Sequence, residues 1–470
     1  MFESDQSSRP PIRWNPLAWL LIFLSGILIL WVVPLLTPPE YAEVEDEAST
    51  LAIFKIQSRL IVGLEQLQPG AAETEAEDLD TWATSPQTTA AVAGLKFFRD
   101  PDGDGATQGI ALIEKQLAIA EPSPSPEARQ LLQDLQGLIS GELEADVLDS
   151  YEITPFYFDY YRLAKMPPEA PERVAFLKEA LMTAIGYVAG IAIVLGLAFV
   201  GLILLLLALV KQSSQNALTR FQERLDRDGY LLTGFALYLF IMAMGQVLSI
   251  VVGKFAVIDA FPTEIAMLFA NGFAVAGMTI SVLVGFFWAT WRGMSFREMR
   301  DRLGWHRGKG FLREAGAGVV GYIAMLPIFL IGVVLTVLLG LALGHFAPDD
   351  AAAQPVSHPI VSQLAEGGLG LKIFIFILAA VLAPLFEETM FRGALYRAFR
   401  GKWNFLIAGL VSGFIFAVIH PQGIVAVPAL TAMGFGFAMI REWRDSLIAP
   451  MVAHGVHNGA LVIAMLLAFG

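Results

Sequence analysis

Long runs of apolar residues alternate along the chain with short polar stretches that carry most of its charge. One such run, residues 181–210, comprises thirty residues without a charge, whereas about 20 apolar residues suffice to cross a bilayer. A helix on the surface of a soluble protein shows instead an apolar stripe and a polar face. The pattern therefore predicts helices that cross a membrane.

Nine apolar runs of this kind occur, and each predicts one transmembrane helix. They are residues 17–36, 174–210, 231–252, 265–288, 315–343, 371–387, 405–420, 424–440 and 447–469. Windows of helical periodicity lie between the first two runs and predict a mostly helical domain there. The predicted fold class is an all-α polytopic membrane protein with about nine transmembrane helices and a mostly helical extracytoplasmic domain after the first of them.

Composition agrees with this pattern and divides the chain into two environments. Only 16% of the residues are charged, against about 25% in soluble domains. The net charge is −13, but residues 40–173 alone hold 26 acidic and 9 basic residues, so the remainder is net basic. The predicted organisation is a cytoplasmic N-terminus (1–16), a first transmembrane helix (17–36), an acidic extracytoplasmic domain (37–173), three helices with basic cytoplasmic loops (174–313) and a C-terminal membrane domain (314–470).

Lysine and arginine residues predict the orientation, because loops rich in them stay in the cytoplasm. Arg9 and Arg13 precede the first apolar run, and acidic residues 40–47 follow it. Basic residues then fill alternate loops, at 211–227, 292–313, 397–402 and 441–444. We expect a cytoplasmic N-terminus. A cleaved signal peptide is the alternative, although its apolar region spans only about 7 to 15 residues.

Two kinds of site are excluded or disfavoured by composition and spacing. The chain has no cysteine, which excludes disulfides, thiolate metal sites and thiol catalysis. Residues 100–105 imitate the start of a calcium-binding loop, but Ala111 stands where that loop needs a glutamate. This stretch is interpreted as an acidic surface turn.

Ionisable residues that carry chemistry concentrate in the C-terminal apolar runs, where such residues are costly and indicate function. Glu388 and Arg392 are four residues apart, the spacing of an ion pair on one face of a helix. Glu387 points about 100° away from that pair. We expect it to face the bundle interior as an unpaired carboxylate suited to act as a base. The alternative is a charged helix end at the membrane interface.

Helix lengths predict that His420 lies at the depth of Glu387. If one helix continues to Arg400, Glu387 lies about 20 Å from the following turn, and His420 lies about 24 Å along the returning helix. Pro421 biases His420 out of the helix, so that the imidazole is placed at a helix end beside the carboxylate. A capping or packing histidine is the alternative.

His454 and Asn458 lie four residues apart on one face of the last predicted helix. The Asn458 amide offers donors that cannot ionise, which suits an oxyanion site. Together with Glu387 and His420 these residues make a set for hydrolysing an amide. A serine mechanism lacks the Gly-x-Ser-x-Gly motif, and Ser412 has no assigned base. A zinc site of Glu387, His420 and His454 stays open, although His-Glu-x-x-His is absent.

Three motifs carry a resemblance to a known family. Glu387-Glu388-x-x-x-Arg392, Phe416-x-x-x-His420 and His454-x-x-x-Asn458 resemble, in this order, the motifs of the CPBP family. That family comprises CAAX prenyl endopeptidases and bacteriocin-processing proteins and is also called Abi. The resemblance covers residues 316–470. It implies an intramembrane glutamic endopeptidase without metal or cofactor, in which Glu387 and His420 activate water, His454 and Asn458 hold the oxyanion, and Glu388, Arg392 and Phe416 support the site.

The expected function is hydrolysis of a peptide bond in a membrane-associated or C-terminally lipidated, CAAX-type protein or peptide. The expected location is the inner membrane of a bacterial cell, with the lipid bilayer and the substrate as partners and no nucleic acid. Three alternatives remain. They are a non-enzymatic immunity or binding protein of the same fold, a zinc-dependent membrane protease, and a proton-coupled transporter, whose repeated halves with broken helices are not evident.

Overall fold

Helices make up nearly all the regular structure, and no strand occurs among the residues described. The predicted all-α class is confirmed. The computed structural model describes residues 15–36, 39–70, 78–119, 124–151, 155–215, 229–255, 263–346, 360–420 and 422–469. The basic residues predicted in loop 216–228, the acidic loop at 347–350, Arg9, Arg13 and Pro421 lie outside these ranges.

Sixteen helices follow one another in the described chain. They are α1 (Pro16–Leu36), α2 (Pro39–Leu67), α3 (Pro86–Arg99), α4 (Asp104–Leu117), α5 (Pro126–Ser140), α6 (Phe158–Lys165), α7 (Pro171–Gln215), α8 (Tyr230–Phe255), α9 (Thr263–Trp291), α10 (Phe296–Leu303), α11 (Phe311–Phe346), α12 (Ile360–Glu366), α13 (Leu369–Arg400), α14 (Phe405–Val418), α15 (Val427–Arg444) and α16 (Ile448–Phe469).

Seven of these helices are long and apolar enough, within the described residues, to cross a membrane. They are α1, α7, α8, α11, α13, α15 and α16. Two shorter apolar segments coincide with the remaining runs predicted to cross. One is Val275–Trp291, which lies within α9, and the other is the whole of α14. The prediction of a polytopic membrane protein is confirmed.

Local sequence signals fix several helix ends. Asn15 and Asn404 cap α1 and α14, because their side-chain oxygens accept the backbone N–H of the third residue that follows. Ser295 caps α10 in the same way. Gly304 ends α10 with a φ of 95°, a left-handed conformation that glycine adopts at little cost. Asparagine and serine are common at helix starts, and glycine is common just after helix ends.

The chain divides into two units, residues 40–194 with 465–470, and residues 1–39 with 195–464. The first unit has its own apolar core beneath α3, where the Tyr161 hydroxyl donates to the Ala90 carbonyl at 2.7 Å. In the acidic turn predicted at 100–105, the Gly105 N–H donates to Asp100 Oδ2, and α4 begins at Asp104. Residue 111, where a calcium loop needs its glutamate, lies within α4.

The second unit contains the residues predicted to carry chemistry. Its core includes Phe391, Phe416 and Phe437, which are completely buried. Helix α13 continues to Arg400, as the predicted depth of His420 assumed, and α14 returns after a short turn. This arrangement brings the end of α14 back towards the middle of α13.

Candidate active site

Glu387 and Glu388 lie on α13 between two π-helical segments, Leu378–Leu382 and Thr389–Leu395. A π segment accommodates extra residues in the helix and often marks a functional site. The extra residues rotate the helix face relative to a regular α-helix. The angular relation of the two glutamates to the rest of α13 was therefore not readable from regular helix geometry.

Glu388 and Arg392 form a buried ion pair. Arg392 Nη1 donates to Glu388 Oε1 at 2.8 Å, and the two side chains are 1% and 0% exposed. The four-residue spacing predicted this pair. Arg392 Nη2 also donates to the Gly434 carbonyl at 3.0 Å. The guanidinium lies over Phe416 and Phe437, 4.6 and 5.2 Å from the ring centroids, so cation–π attraction adds to the ion pair.

The Gly434 carbonyl is reachable because α14 and α15 cross with their backbones almost in contact. A Cβ added to Gly434 would lie 2.7 Å from Gly413 Cα and 3.2 Å from Arg392 Nη2. No side chain larger than hydrogen fits between these atoms. The sequence carries a signal for this crossing, since Gly409 and Gly413 form a Gly-x-x-x-Gly motif in an apolar helix.

His454 lies between the two glutamates and contacts each with a different ring nitrogen. Its Nδ1 lies 3.0 Å from Glu388 Oε1, and its Nε2 lies 4.0 Å from Glu387 Oε2. The ring stacks on Phe437 with a centroid distance of 4.8 Å. The contact with Glu388 and the stacking on Phe437 thus fix the orientation of this imidazole.

His420 approaches Glu387 from the end of α14. Its Nδ1 lies 2.5 Å from the Phe416 carbonyl, and its Nε2 lies 3.8 Å from Glu387 Oε2. A carbonyl only accepts hydrogen bonds, so Nδ1 carries a hydrogen, and Nε2 faces Glu387 with a lone pair when the ring is neutral. The proximity expected from the helix lengths is present.

Both histidines direct Nε2 towards Glu387 Oε2. This oxygen is buried and has no hydrogen-bond partner among the described residues. A buried carboxylate oxygen without a partner is costly. The two histidine Nε2 atoms that face it at 3.8 and 4.0 Å are too far for direct hydrogen bonds. A small hydrogen-bonding molecule such as water fits this arrangement of atoms.

Asn458 is one turn beyond His454 on α16, as predicted. Its Nδ2 donates to the Ala379 carbonyl, in the first π segment of α13, at 2.8 Å. Sequence reasoning assigned this amide to an oxyanion. In the structure one of its N–H groups is already bound to backbone.

Ser412 and His457 lie outside the cluster. The Ser412 hydroxyl donates to the Gly409 carbonyl of its own helix at 3.1 Å, which does not favour a serine nucleophile. His457 Nδ1 lies 3.3 Å from the Tyr322 hydroxyl, and its ring packs edge-on against Phe329. His457 lies three residues after His454 on α16, and its packing partners Tyr322 and Phe329 are on α11.

Sequence reasoning missed several residues that shape the cluster. Phe437 and Gly434 come from α15, and no polar pattern marks them. Trp305, after α10, donates from Nε1 to Thr389 Oγ1 at 3.1 Å, and Thr389 in turn donates to a carbonyl one turn back on α13. An isolated tryptophan gives no signal of such a contact in the sequence.

The described residues contain no group of three or more His, Asp or Glu in a metal-binding arrangement. The residues named for the zinc alternative, Glu387, His420 and His454, nevertheless have suitable atoms. Both histidines direct Nε2 towards Glu387 and engage Nδ1 with an oxygen, as metal-binding histidines commonly do. These residue types can ligate zinc, but in the described structure their atoms are not in a metal-binding arrangement.

Comparison with known proteins identifies this region. Residues 369–460 match the family described as type II CAAX prenyl endopeptidase Rce1-like, and this range contains all three motifs. The membrane-embedded CAAX protease MroQ of Staphylococcus aureus (strain USA300) is 31% identical over 149 residues, 30% of this chain and 59% of that protein. The putative membrane peptidase YdiL of Bacillus subtilis (strain 168) is 34% identical over 90 residues, 19% of this chain and 36% of that protein.

A third relative is UPF0177 protein YbdI of Lactococcus lactis subsp. lactis (strain IL1403), which is 45% identical over 94 residues, 19% of this chain and 48% of that protein. The chain thus spans about half the length of the curated relatives it matches, from 36% to 59%. No solved structure matches it. The resemblance predicted from the three motifs is confirmed: residues 369–460 match an Rce1-like CAAX protease domain.

Proposed function

We propose that the protein is a glutamic-type intramembrane endopeptidase in which Glu387 and His420 activate water. The observation that carries the proposal is the unpaired, buried Glu387 Oε2 facing two imidazole nitrogens. A carboxylate and a neutral imidazole are both acceptors. Water supplies the two O–H donors that such a pair requires.

In the proposed reaction Glu387 acts first as the base and then as the acid. Water attacks the carbonyl carbon of the scissile bond and gives a proton to Glu387, with His420 accepting its second hydrogen bond. The carbonyl oxygen becomes an oxyanion. Collapse of the tetrahedral intermediate breaks the C–N bond, and the Glu387 carboxylic acid returns the proton to the leaving amine nitrogen. The products are a new carboxyl terminus and a new amino terminus.

The position of His454 supports an oxyanion role. Its Nδ1 lies 3.0 Å from Glu388 Oε1, and its Nε2 lies 4.0 Å from Glu387 Oε2, beside the reacting atoms. When the ring carries a hydrogen on both nitrogens, Nε2 is a donor for the oxyanion.

The proposed substrate is a membrane-associated or C-terminally lipidated protein or peptide that enters from the cytoplasmic side. The relative MroQ is described as a CAAX protease, which supports this substrate class. The proposed orientation places the N-terminus in the cytoplasm of a bacterial cell. Residues 37–173 form, in this proposal, an extracytoplasmic domain that recognises substrates or restricts their access.

Membrane proteomes test the function before any substrate has been identified. Strains with the intact protein, with Glu387→Gln and with a gene deletion are compared, and Glu298→Gln serves as the control because it makes the same change at an exposed position. The same uncleaved precursors should accumulate in the Glu387→Gln and deletion strains but not in the control. A deletion phenotype that Glu387→Gln rescues fully would favour a non-enzymatic binding protein.

A zinc-dependent peptidase is the second candidate, because the donor atoms of Glu387, His420 and His454 suit a metal ion. The two mechanisms differ in their response to metal removal. The glutamate mechanism predicts that the purified protein stays active after chelation. Loss of cleavage on removal of stoichiometric zinc, with recovery on its return, would make these three residues ligands.

A further inference from the structure

The first π segment of α13 leaves one backbone carbonyl without its helical partner. At the end of this segment the Ala383 N–H donates to the Leu378 carbonyl, five residues back. The next amide in the same pattern belongs to residue 384 and would bond to the Ala379 carbonyl. Residue 384 is proline, which has no N–H. The Ala379 carbonyl therefore needs a donor from elsewhere.

Asn458 supplies that donor from α16. Its Nδ2 lies 2.8 Å from the Ala379 oxygen, the length of a good hydrogen bond. A backbone carbonyl left unpaired inside a membrane protein costs free energy, because no bulk water is available to replace the bond. The Asn458 side chain thus replaces the N–H that Pro384 lacks.

Small residues on α16 allow this contact. A Cβ added to Gly455 would lie 2.6 Å from the Ala380 carbonyl oxygen, and one added to Gly459 would lie 3.5 Å from the Ala380 side chain. Hence α16 packs directly on the π segment along the face that also carries Asn458. His454, one turn away on α16, contacts both glutamates of α13.

We infer that Asn458 is a positioning residue: the N–H that it donates to the Ala379 carbonyl fixes the π segment of α13 next to Pro384. It fixes the part of α13 that ends five residues before Glu387, and it joins this part to the helix that carries His454. The inference concerns the site of the proposed peptidase and so rests on that proposed function.

A double-mutant cycle tests the inference. Asn458→Leu keeps a similar volume and removes the donor, so the Ala379 carbonyl loses its partner. Pro384→Ala restores a backbone N–H within α13. We expect Asn458→Leu to lower kcat about tenfold and to lower the melting temperature in detergent. The double variant Pro384→Ala, Asn458→Leu should regain most of both losses.

Precursors that accumulate in Glu387→Gln membranes serve as substrate in this cycle. An oxyanion donor predicts a different result: Asn458→Leu lowers kcat without lowering the melting temperature, and Pro384→Ala restores nothing. Additive losses in the cycle would therefore overturn the inference. Recovery of the melting temperature without recovery of kcat would overturn the assignment of Asn458 as a residue that acts only through α13.

A second measurement separates this inference from the proposed function and does not need Pro384→Ala to fold. In the Glu387→Gln background, Asn458→Leu should lower the melting temperature by the same amount as in the unmodified protein. An unchanged melting temperature would overturn the inference. If the shift appears but the unmodified protein cleaves nothing, the proposed function fails while the contact between α16 and α13 stands.

Discussion

In the proposed mechanism two adjacent glutamates have different roles, because their surroundings differ. Glu388 is paired with Arg392 at 2.8 Å and also contacts His454, whereas Glu387 Oε2 has no hydrogen-bond partner in the described chain. Spacing along a helix predicted the pair and the free carboxylate. The hydrogen bond from Asn458 to the Ala379 carbonyl could not be predicted from helix spacing. It depends on Pro384, which has no N–H to donate to that carbonyl.

Glu388→Gln should lose stability as well as rate. The substitution leaves Arg392 buried without its countercharge, and such changes cost about 3 to 5 kcal/mol. Unfolding of the purified protein, followed by circular dichroism in detergent, measures this loss. Glu387→Gln is the matched variant one residue earlier. It should lose activity and keep its unfolding free energy, and equal destabilisation of both variants would contradict the division of roles.

Pairs of helices create contacts that the pattern of each helix does not reveal. Apolar runs located α13, α14 and α16, and their lengths predicted that His420 meets Glu387. The π segments and the crossing at Gly413 and Gly434 arise from packing between helices. The Gly-x-x-x-Gly motif on α14 is a signal in the sequence from which this crossing could have been predicted.

Gly434→Ala should disturb the site through that crossing. The added methyl would lie 2.7 Å from Gly413 Cα and 3.2 Å from Arg392 Nη2, so the helices must separate at a cost of about 1 to 3 kcal/mol. Thermal unfolding and precursor cleavage both report the effect. Gly245→Ala is the control, since nothing lies within 4 Å of its added Cβ. Equal behaviour of the two variants would show that the tight crossing does not support the site.

At the scale of the whole molecule, hydropathy predicted the membrane class well. Each apolar run coincides with a helix, and seven helices in the described chain are long enough to cross. The role of the acidic domain could not be predicted in the same way, because it carries no histidine and no motif with a known chemistry. Its function depends on surfaces and partners that periodicity does not encode.

Reporter fusions test the proposed orientation. A reporter fused at Thr84, in the acidic domain, should be active outside the cytoplasm, and one fused at Met294, in a basic loop, should be active in the cytoplasm. Enzymes that fold or function on only one side of the membrane provide the measurement. Activity of both fusions on one side would remove the predicted orientation and the proposed cytoplasmic entry of substrate.

The central claim is that Glu387 directs water onto a peptide bond, and labelled water tests it most directly. Membranes from the deletion strain are incubated in H₂¹⁸O with the purified protein or with Glu387→Gln, and new C-termini are identified by mass spectrometry. The account predicts new C-terminal carboxyl groups that carry one ¹⁸O atom with the unmodified protein and none with Glu387→Gln. Equal formation of labelled termini by both proteins, or by neither, would contradict it.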